Sequence, residues 1–301
     1  MSSELIQTFN LRQILPPITV NAWGGLGSQV FALIVARRIC KTHTFRRVHI
    51  KFHSSGVTRR SIEIPSHKLS GISYSFIDDF VISESSTRGT PGAKTYSPFL
   101  FLKKMLKAVL SSIGLVSDFD ESKRTTRLRP WIISIRGHYS NLKISDQEVN
   151  QAAEVFDLDI KSLIPHHNQI AIHYRLGDLL DLDSKTHIDP QVIGRILQGQ
   201  KSSYSIVASY SDTPVEKLPT AILNFFEPYS VTFYSMDTLS TVKACASATI
   251  FIGTNSKISL WIAAFRICSL KKGVTYLPES LAIKLLYLVG TENLYENLIA
   301  Y

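Results

Sequence analysis

Ile170-Ala171-Ile172-His173-Tyr174-Arg175-Leu176-Gly177-Asp178 is a short apolar, β-branched run that passes into a polar cluster with a glycine. That is how a buried parallel strand of an α/β domain reads where it delivers side chains to a crevice. In open α/β sheets, ligands bind outside the carboxyl ends of the strands. Strand alternation puts Ala171, His173 and Arg175 on one face, and Ile170, Ile172 and Tyr174 on the other. His173 and Arg175 then reach the same side of the crevice. An arginine keeps its charge, and its planar fork matches a pair of phosphate oxygens. Gly177 lets the backbone turn and approach a ligand closely. The plain alternative is an ordinary strand end with Arg175 paired to Asp178.

Downstream of this stretch, strands and helices alternate. Strands are predicted over 204–209, 231–234, 249–252 and Val274–Leu277, the last closing the sheet. Helices are predicted over 190–197, 238–246 and 258–268. This spacing implies a parallel sheet of Rossmann type. Upstream, Ile18–Ala22 reads as a strand, followed by Gly24-Gly25-Leu26-Gly27-Ser28-Gln29 and a helix to Cys40 with Ser28 as its N-cap. A second strand is expected over 47–52, then irregular chain over 54–97. A strand over 131–135 and a helix over 146–156 follow, with a boundary at 165–168. Two units, 1–160 and 161–301, are expected.

The 301 residues suffice for one large or two medium domains. With 45% hydrophobic and 19% charged residues, the composition is that of a soluble globular chain. A net charge of +9 favours anionic partners such as nucleotides, phosphosugars or acidic lipid. Cys40, Cys245 and Cys268 are too far apart for a disulfide scaffold or a zinc site. No basic flank followed by an apolar core opens the chain, and no apolar run has the roughly 20 residues of a membrane span, so a cytoplasmic location is expected. Nucleic acid is not an expected partner, because no basic aromatic platform or helix-turn-helix pattern is present. The 99–116 segment is a basic amphipathic helix. Leu102, Leu106, Val109, Leu110 and Ile113 fall on one side, and Lys103, Lys104 and Lys107 on the other. A surface helix with its apolar stripe on the core is the favoured reading, and peripheral contact with the inner face of an anionic membrane is the other.

Three polar clusters fall at predicted strand-to-helix turns: 24–29, 173–178 and 253–259. The third sets Gly253, Thr254, Asn255, Ser256 and Ser259 around a helix start, a cradle for phosphate unless it is plain capping. A dinucleotide fingerprint is rejected, because Val30 stands where the third glycine belongs and the second strand lacks its terminal acid. Gly92-Ala93-Lys94-Thr95 lacks the upstream glycine of a P-loop. Asp181-Leu182-Asp183 has the form of a metal site but follows no strand, so no metal is expected.

Gly24-Gly25-Leu26-Gly27-Ser28-Gln29-Val30-Phe31 resembles the Gly-Gly-Leu-Gly-Asn-Gln-Met-Phe opening of the α-1,2-fucosyltransferases, glycosyltransferase family 11. His173-Tyr174-Arg175-Leu176-Gly177-Asp178 is similar to their His-x-Arg-Arg-Gly-Asp motif. The 251–264 segment resembles their Ser-Asn-Ser-Ser-Phe-Ser-Trp-Trp-Ala-Ala. Arg136-Gly137-His138-Tyr139 and Ser209-Tyr210-Ser211-Asp212 are weaker echoes. Ser28, Leu176, Lys257 and Leu260 depart from the pattern, and Leu176 bears on donor identity. The resemblance implies a GT-B architecture, two Rossmann-like domains facing across a cleft. Units 1–160 and 161–301 would hold the acceptor and GDP-fucose respectively. It further implies an inverting transfer to a glycan hydroxyl, of α-1,2 linkage to galactose, on an acceptor such as a lipid-linked oligosaccharide, with no cofactor or metal. Arg175 would stabilise the departing diphosphate, with His173, Gly177, Gly253, Thr254, Asn255, Ser256 and Ser259 around the donor. Gly25, Gly27, Ser28 and Gln29 would line the acceptor side. Asp178 and His138 are the alternatives for the proton acceptor. Another nucleotide sugar, or a non-catalytic nucleotide- or glycan-binding relative, is the competing reading.

Overall fold

The computed structural model describes residues 15–44, 46–55, 59–80, 98–119, 131–137, 139–164, 166–174, 189–200, 206–269, 273–290 and 297–301. Strands β1 (Ile18–Ala22), β2 (Val48–His53), β3 (Ser73–Ile77), β4 (Val116–Phe119) and β5 (Ser134–Gly137) form one sheet in the order β3-β2-β1-β5-β4. Strands β6 (His166–His173), β7 (Ile206–Ser211), β8 (Thr232–Ser235), β9 (Ala248–Gly253), β10 (Val274–Leu277) and β11 (Leu298–Ala300) form a second, in the order β11-β10-β9-β6-β7-β8. All pairings are parallel. The helices are α1 (Leu26–Thr42), α2 (Pro98–Ser112), α3 (Asp146–Val155), α4 (Pro190–Gln200), α5 (Thr220–Phe226), α6 (Thr238–Ser247), α7 (Lys257–Cys268) and α8 (Glu279–Val289). The protein is thus an α/β chain of two parallel, Rossmann-like sheets.

Both faces of β6 are buried, and alternation decides which residue goes where. Ile170, Ile172 and Tyr174 join Ile193, Leu197 and Phe226 in one core. Ala171 faces the other core, which runs without a break from the first sheet to the second. In that larger core Phe31 of α1 stacks on Trp261 of α7 at 4.4 Å, and Phe156 meets Phe265 at 5.5 Å. Burial of each such ring stabilises the fold by roughly 1.5–3 kcal/mol. Helix α3 is started by a full capping box. The Ser145 hydroxyl accepts from the Glu148 amide, and the Glu148 carboxylate accepts from the Ser145 amide. It packs on both α1 and α7. The end of α8 returns to the first half, where the Ile144 amide donates to the Leu288 carbonyl at 2.8 Å.

Several expectations need correction. Ser28 is not the N-cap of α1. The helix starts at Leu26 with Gly25 as the cap residue, and the distant Glu63 accepts from the Leu26 amide at 2.8 Å. The irregular 54–97 segment contains β3, an edge strand whose Tyr74 and Phe76 are exposed, so its apolar residues mark no core face. Val274–Leu277 does not close the second sheet, because β11 pairs outside it. Helix α2 does not set its apolar stripe on the core: Leu102, Met105, Leu106, Val109 and Ile113 are all exposed. It ends at Ser112, and the chain continues into edge strand β4.

Candidate functional site

A cavity of about 450 Å³ opens where the carboxyl ends of both sheets meet. The turn after β1 supplies Trp23, Gly24, Gly25, Gly27 and Ser28, and Ser140 lies shortly beyond β5. His173 closes β6, and Asp212 follows β7. Asn255, Ser256 and Lys257 follow β9, while Lys284 reaches in from α8.

The glycine turn is shaped by what presses on it. Gly24 has φ +84°, a conformation that strains any side chain, and an added Cβ would lie 2.9 Å from Ser28 Oγ. A Cβ on Gly27 would lie 3.0 Å from Lys257 Cβ and 3.1 Å from the Lys257 backbone, so the two halves meet there with no room for a methyl group. Glu63 and Arg60 sit over Gly25. Gln29 is buried, not part of the cavity wall. Its amide nitrogen donates to the carbonyls of Gly24 and Ser61, and its oxygen accepts from the Glu63 amide. Gln29 therefore fixes the turn to the Arg60–Glu63 segment.

On the second half, His173 is 7% exposed, and its Nδ1 lies 2.7 Å from Ser259 Oγ. The His173 carbonyl accepts from both the amide and the hydroxyl of Thr254. Ser259 and Thr254 are thus buried supports for His173 rather than wall residues. Gly253 is also behind the wall, and its carbonyl accepts from the Tyr301 hydroxyl at 2.7 Å. Asn255 and Ser256 do reach the cavity. Ser256 is the N-cap of α7, its hydroxyl accepting from the Ile258 amide at 3.0 Å. Arg175, Gly177, Asp178 and His138 lie outside the described residues, as do Asp181 and Asp183.

Sequence reasoning missed Arg60, Glu63, Lys284, Thr238 and Thr241 as wall residues, and Trp23 beside the glycine turn. One arginine and two lysines, Arg60, Lys257 and Lys284, share the lining with two acids, Glu63 and Asp212. Glu63 is engaged by the Leu26 amide and by Arg60 at 3.7 Å. The positive end of the α7 dipole adds to the attraction for an anion. Trp23 stacks on His53 at 4.6 Å, and the His53 ring nitrogens lie 2.7 Å from Asp79 Oδ2 and 3.1 Å from Asn21 Oδ1. Thr241, on α6, has a buried hydroxyl oxygen with no hydrogen-bond partner among the described residues. Among the described residues no group of three or more His, Cys, Asp or Glu side chains converges for a metal.

No protein-family model and no curated protein matches the chain. It is similar in structure to the E. coli heptosyltransferase WaaC with ADP, at 10% identity over 94% of this chain and 92% of that one, with a TM-score of 0.43. WaaC with ADP-2-deoxy-2-fluoro heptose gives 8% identity over 95% and 92%, with a TM-score of 0.41. POFUT1 in complex with GDP-fucose gives 10% identity over 86% and 97%, with a TM-score of 0.37.

Proposed function

We propose that the protein is a glycosyltransferase that moves a sugar from a nucleoside diphosphate, GDP-fucose first among donors, to a hydroxyl of a glycan. The observation that carries this reading is the cavity: strand carboxyl ends from two Rossmann-like sheets, a glycine turn, and Lys257, Lys284 and Arg60 in its lining. Breaking a sugar–phosphate bond leaves negative charge on the diphosphate. Fixed cations and backbone amides stabilise it in the transition state. Lys257, Lys284 and the Asn255–Ser256 turn take that role in the described chain, and Arg175 joins them on the sequence motif. The transfer inverts the anomeric centre and uses no metal. The acceptor hydroxyl proton goes to a carboxylate or imidazole at the cleft. Asp178 and His138, from the motifs, are the candidates. Trp23 offers the acceptor ring an apolar face with a polar edge.

Helix α2 bears on where the acceptor comes from. Its Leu102, Met105, Leu106 and Val109 are exposed, and its sequence carries Lys103, Lys104 and Lys107 with no acid. Such a helix suits the surface of an anionic bilayer, which would bring the enzyme to a lipid-linked acceptor. Among the described residues no helix is long and apolar enough to cross a membrane.

The test is a donor screen with EDTA present. The full chain is mixed with GDP-fucose, GDP-mannose, UDP-sugars and dTDP-sugars and a panel of β-galactosides, and nucleotide release and glycan mass are followed. The reading expects one donor class to be consumed, with a mass gain of one sugar on the acceptor. Absence of transfer from every donor contradicts it.

A further inference from the structure

The cavity lining divides by the strand order of the second sheet. Lys257 follows β9 and Lys284 lies on α8, which follows β10. Asp212 follows β7, and Thr238 and Thr241, one helical turn apart on α6, follow β8, on the other side of β6. An anionic phosphate is repelled by the Asp212 carboxylate, whereas a neutral polyol can donate to it and exchange hydrogen bonds with threonine hydroxyls.

Thr241 is the decisive residue. It is 2% exposed, and its hydroxyl oxygen is buried with no partner. Burying a hydroxyl unsatisfied is unfavourable, and in folded proteins nearly all such groups are paired. A helical threonine usually has an easy remedy, because its hydroxyl can bond the carbonyl one turn back. Here the Asp237 carbonyl accepts from the Thr241 amide, and the hydroxyl makes no such bond. Thr241 also lines the cavity. Rotation about the Cα–Cβ bond can bring the hydroxyl from its buried position to the cavity wall.

We infer that Thr241, with Thr238 and Asp212, forms a subsite for a hydroxyl-bearing ring of the donor, and that the Thr241 hydroxyl gains its partner when that ring binds. This rests on the nucleotide-sugar reading above. The ring is either the ribose or the transferred sugar. The diphosphate then runs from this subsite towards Lys257 and Lys284.

The test uses Thr241→Val, which keeps shape and removes the hydroxyl, and Thr241→Ser, which keeps the hydroxyl. Melting of the ligand-free chain and titration with GDP and with GDP-fucose are measured for each. Removing an unsatisfied buried hydroxyl is expected to leave the melting point of the free protein unchanged or raised. Donor affinity is expected to fall about three- to tenfold in Thr241→Val and to be largely restored in Thr241→Ser. A loss seen with GDP and GDP-fucose alike identifies the ribose. A loss seen with GDP-fucose alone identifies the transferred sugar. Unchanged affinity for both in Thr241→Val overturns the subsite while leaving the nucleotide-sugar reading intact. Should the unaltered chain bind neither, the same titrations use the nucleotide sugar found in the donor screen, and failure to bind any of the screened donors overturns that reading itself.

Discussion

The indole nitrogen of Trp261 donates to the backbone carbonyl of Gly27 at 2.9 Å, joining the helix that follows β9 to the first turn of the helix that follows β1. This bond crosses from one sheet's half to the other beside the cavity, and the Phe31–Trp261 ring contact lies next to it. Gly27→Ala would force a methyl group against Lys257. We expect a loss of about 1–3 kcal/mol from overpacking. Nucleotide affinity should fall with it, because Lys257 must shift. Trp261→Phe keeps an aromatic ring but loses the bond and leaves a gap where the larger indole packs, at about 1–3 kcal/mol. Denaturant melts and nucleotide titration check both, and an unchanged stability in Gly27→Ala would show that the halves are not pinned here.

Trp23 bears on the acceptor. It is held against His53, which Asp79 and Asn21 fix in turn. Trp23→Ala should raise the acceptor KM about tenfold or more, since stacked aromatic contacts contribute on the order of 1 kcal/mol beyond buried area. Steady-state kinetics at saturating donor measure this. An unaltered acceptor KM would remove Trp23 from the acceptor site.

Arg266 is a cation buried among carbonyls rather than beside an acid. Its guanidinium donates to the carbonyls of Ala246, Ala248, Thr249 and Val274 and to the Thr275 hydroxyl. Burial pulls its pKa down to about 10. These bonds tie α7 to the start of β9 and to β10. Arg266→Met leaves several buried acceptors unpaired and should cost about 3–5 kcal/mol. A change under 1 kcal/mol in equilibrium unfolding would contradict this.

Glu148 makes stability depend on acid. Burial opposes its ionisation. The bidentate Arg38 pair and the Ser145 amide outweigh that and hold the carboxyl below its ordinary 4.5. A carboxyl with a lowered folded-state pKa contributes stability above the unfolded value, and the contribution is lost as pH falls through the folded one. Glu148→Gln should therefore cost about 1 kcal/mol at neutral pH. The gap to the parent should close as pH drops below about 4. Unfolding curves at pH 7 and pH 3 provide the comparison, and an equal gap at both would contradict it.

The second sheet was readable because its central strands β6 and β9 are buried on both faces and keep continuous apolar runs, as in Ile170–Ile172 and Ile250–Ile252. Edge strands β3, β4 and β11 were missed because a strand as exposed as β3, or one of only three or four residues, imposes no such pattern. Helix α8 was unread because the run from Leu281 to Val289 is apolar on most sides. The glycine turn, His173, Asn255 and Ser256 were legible because each sits at a strand's carboxyl end. Glu63, Lys284 and Thr241 were not, because only tertiary packing brings an irregular segment and two helices to that place. Gln29 and Ser259 were recognised as polar residues near the site. Their positions as supports depend on partners 32 and 86 residues away.

The central claim is that the cavity between the two sheets binds a nucleoside diphosphate through Lys257 and Lys284. Calorimetric titration of the full chain with GDP in EDTA, for the parent and for Lys284→Met, tests it most directly. We expect one site per chain, an affinity that falls with added salt, and a weakening of about tenfold or more in the variant, as for a lost charge-assisted contact. Absence of binding in the parent, or equal affinity in parent and variant, would contradict the account.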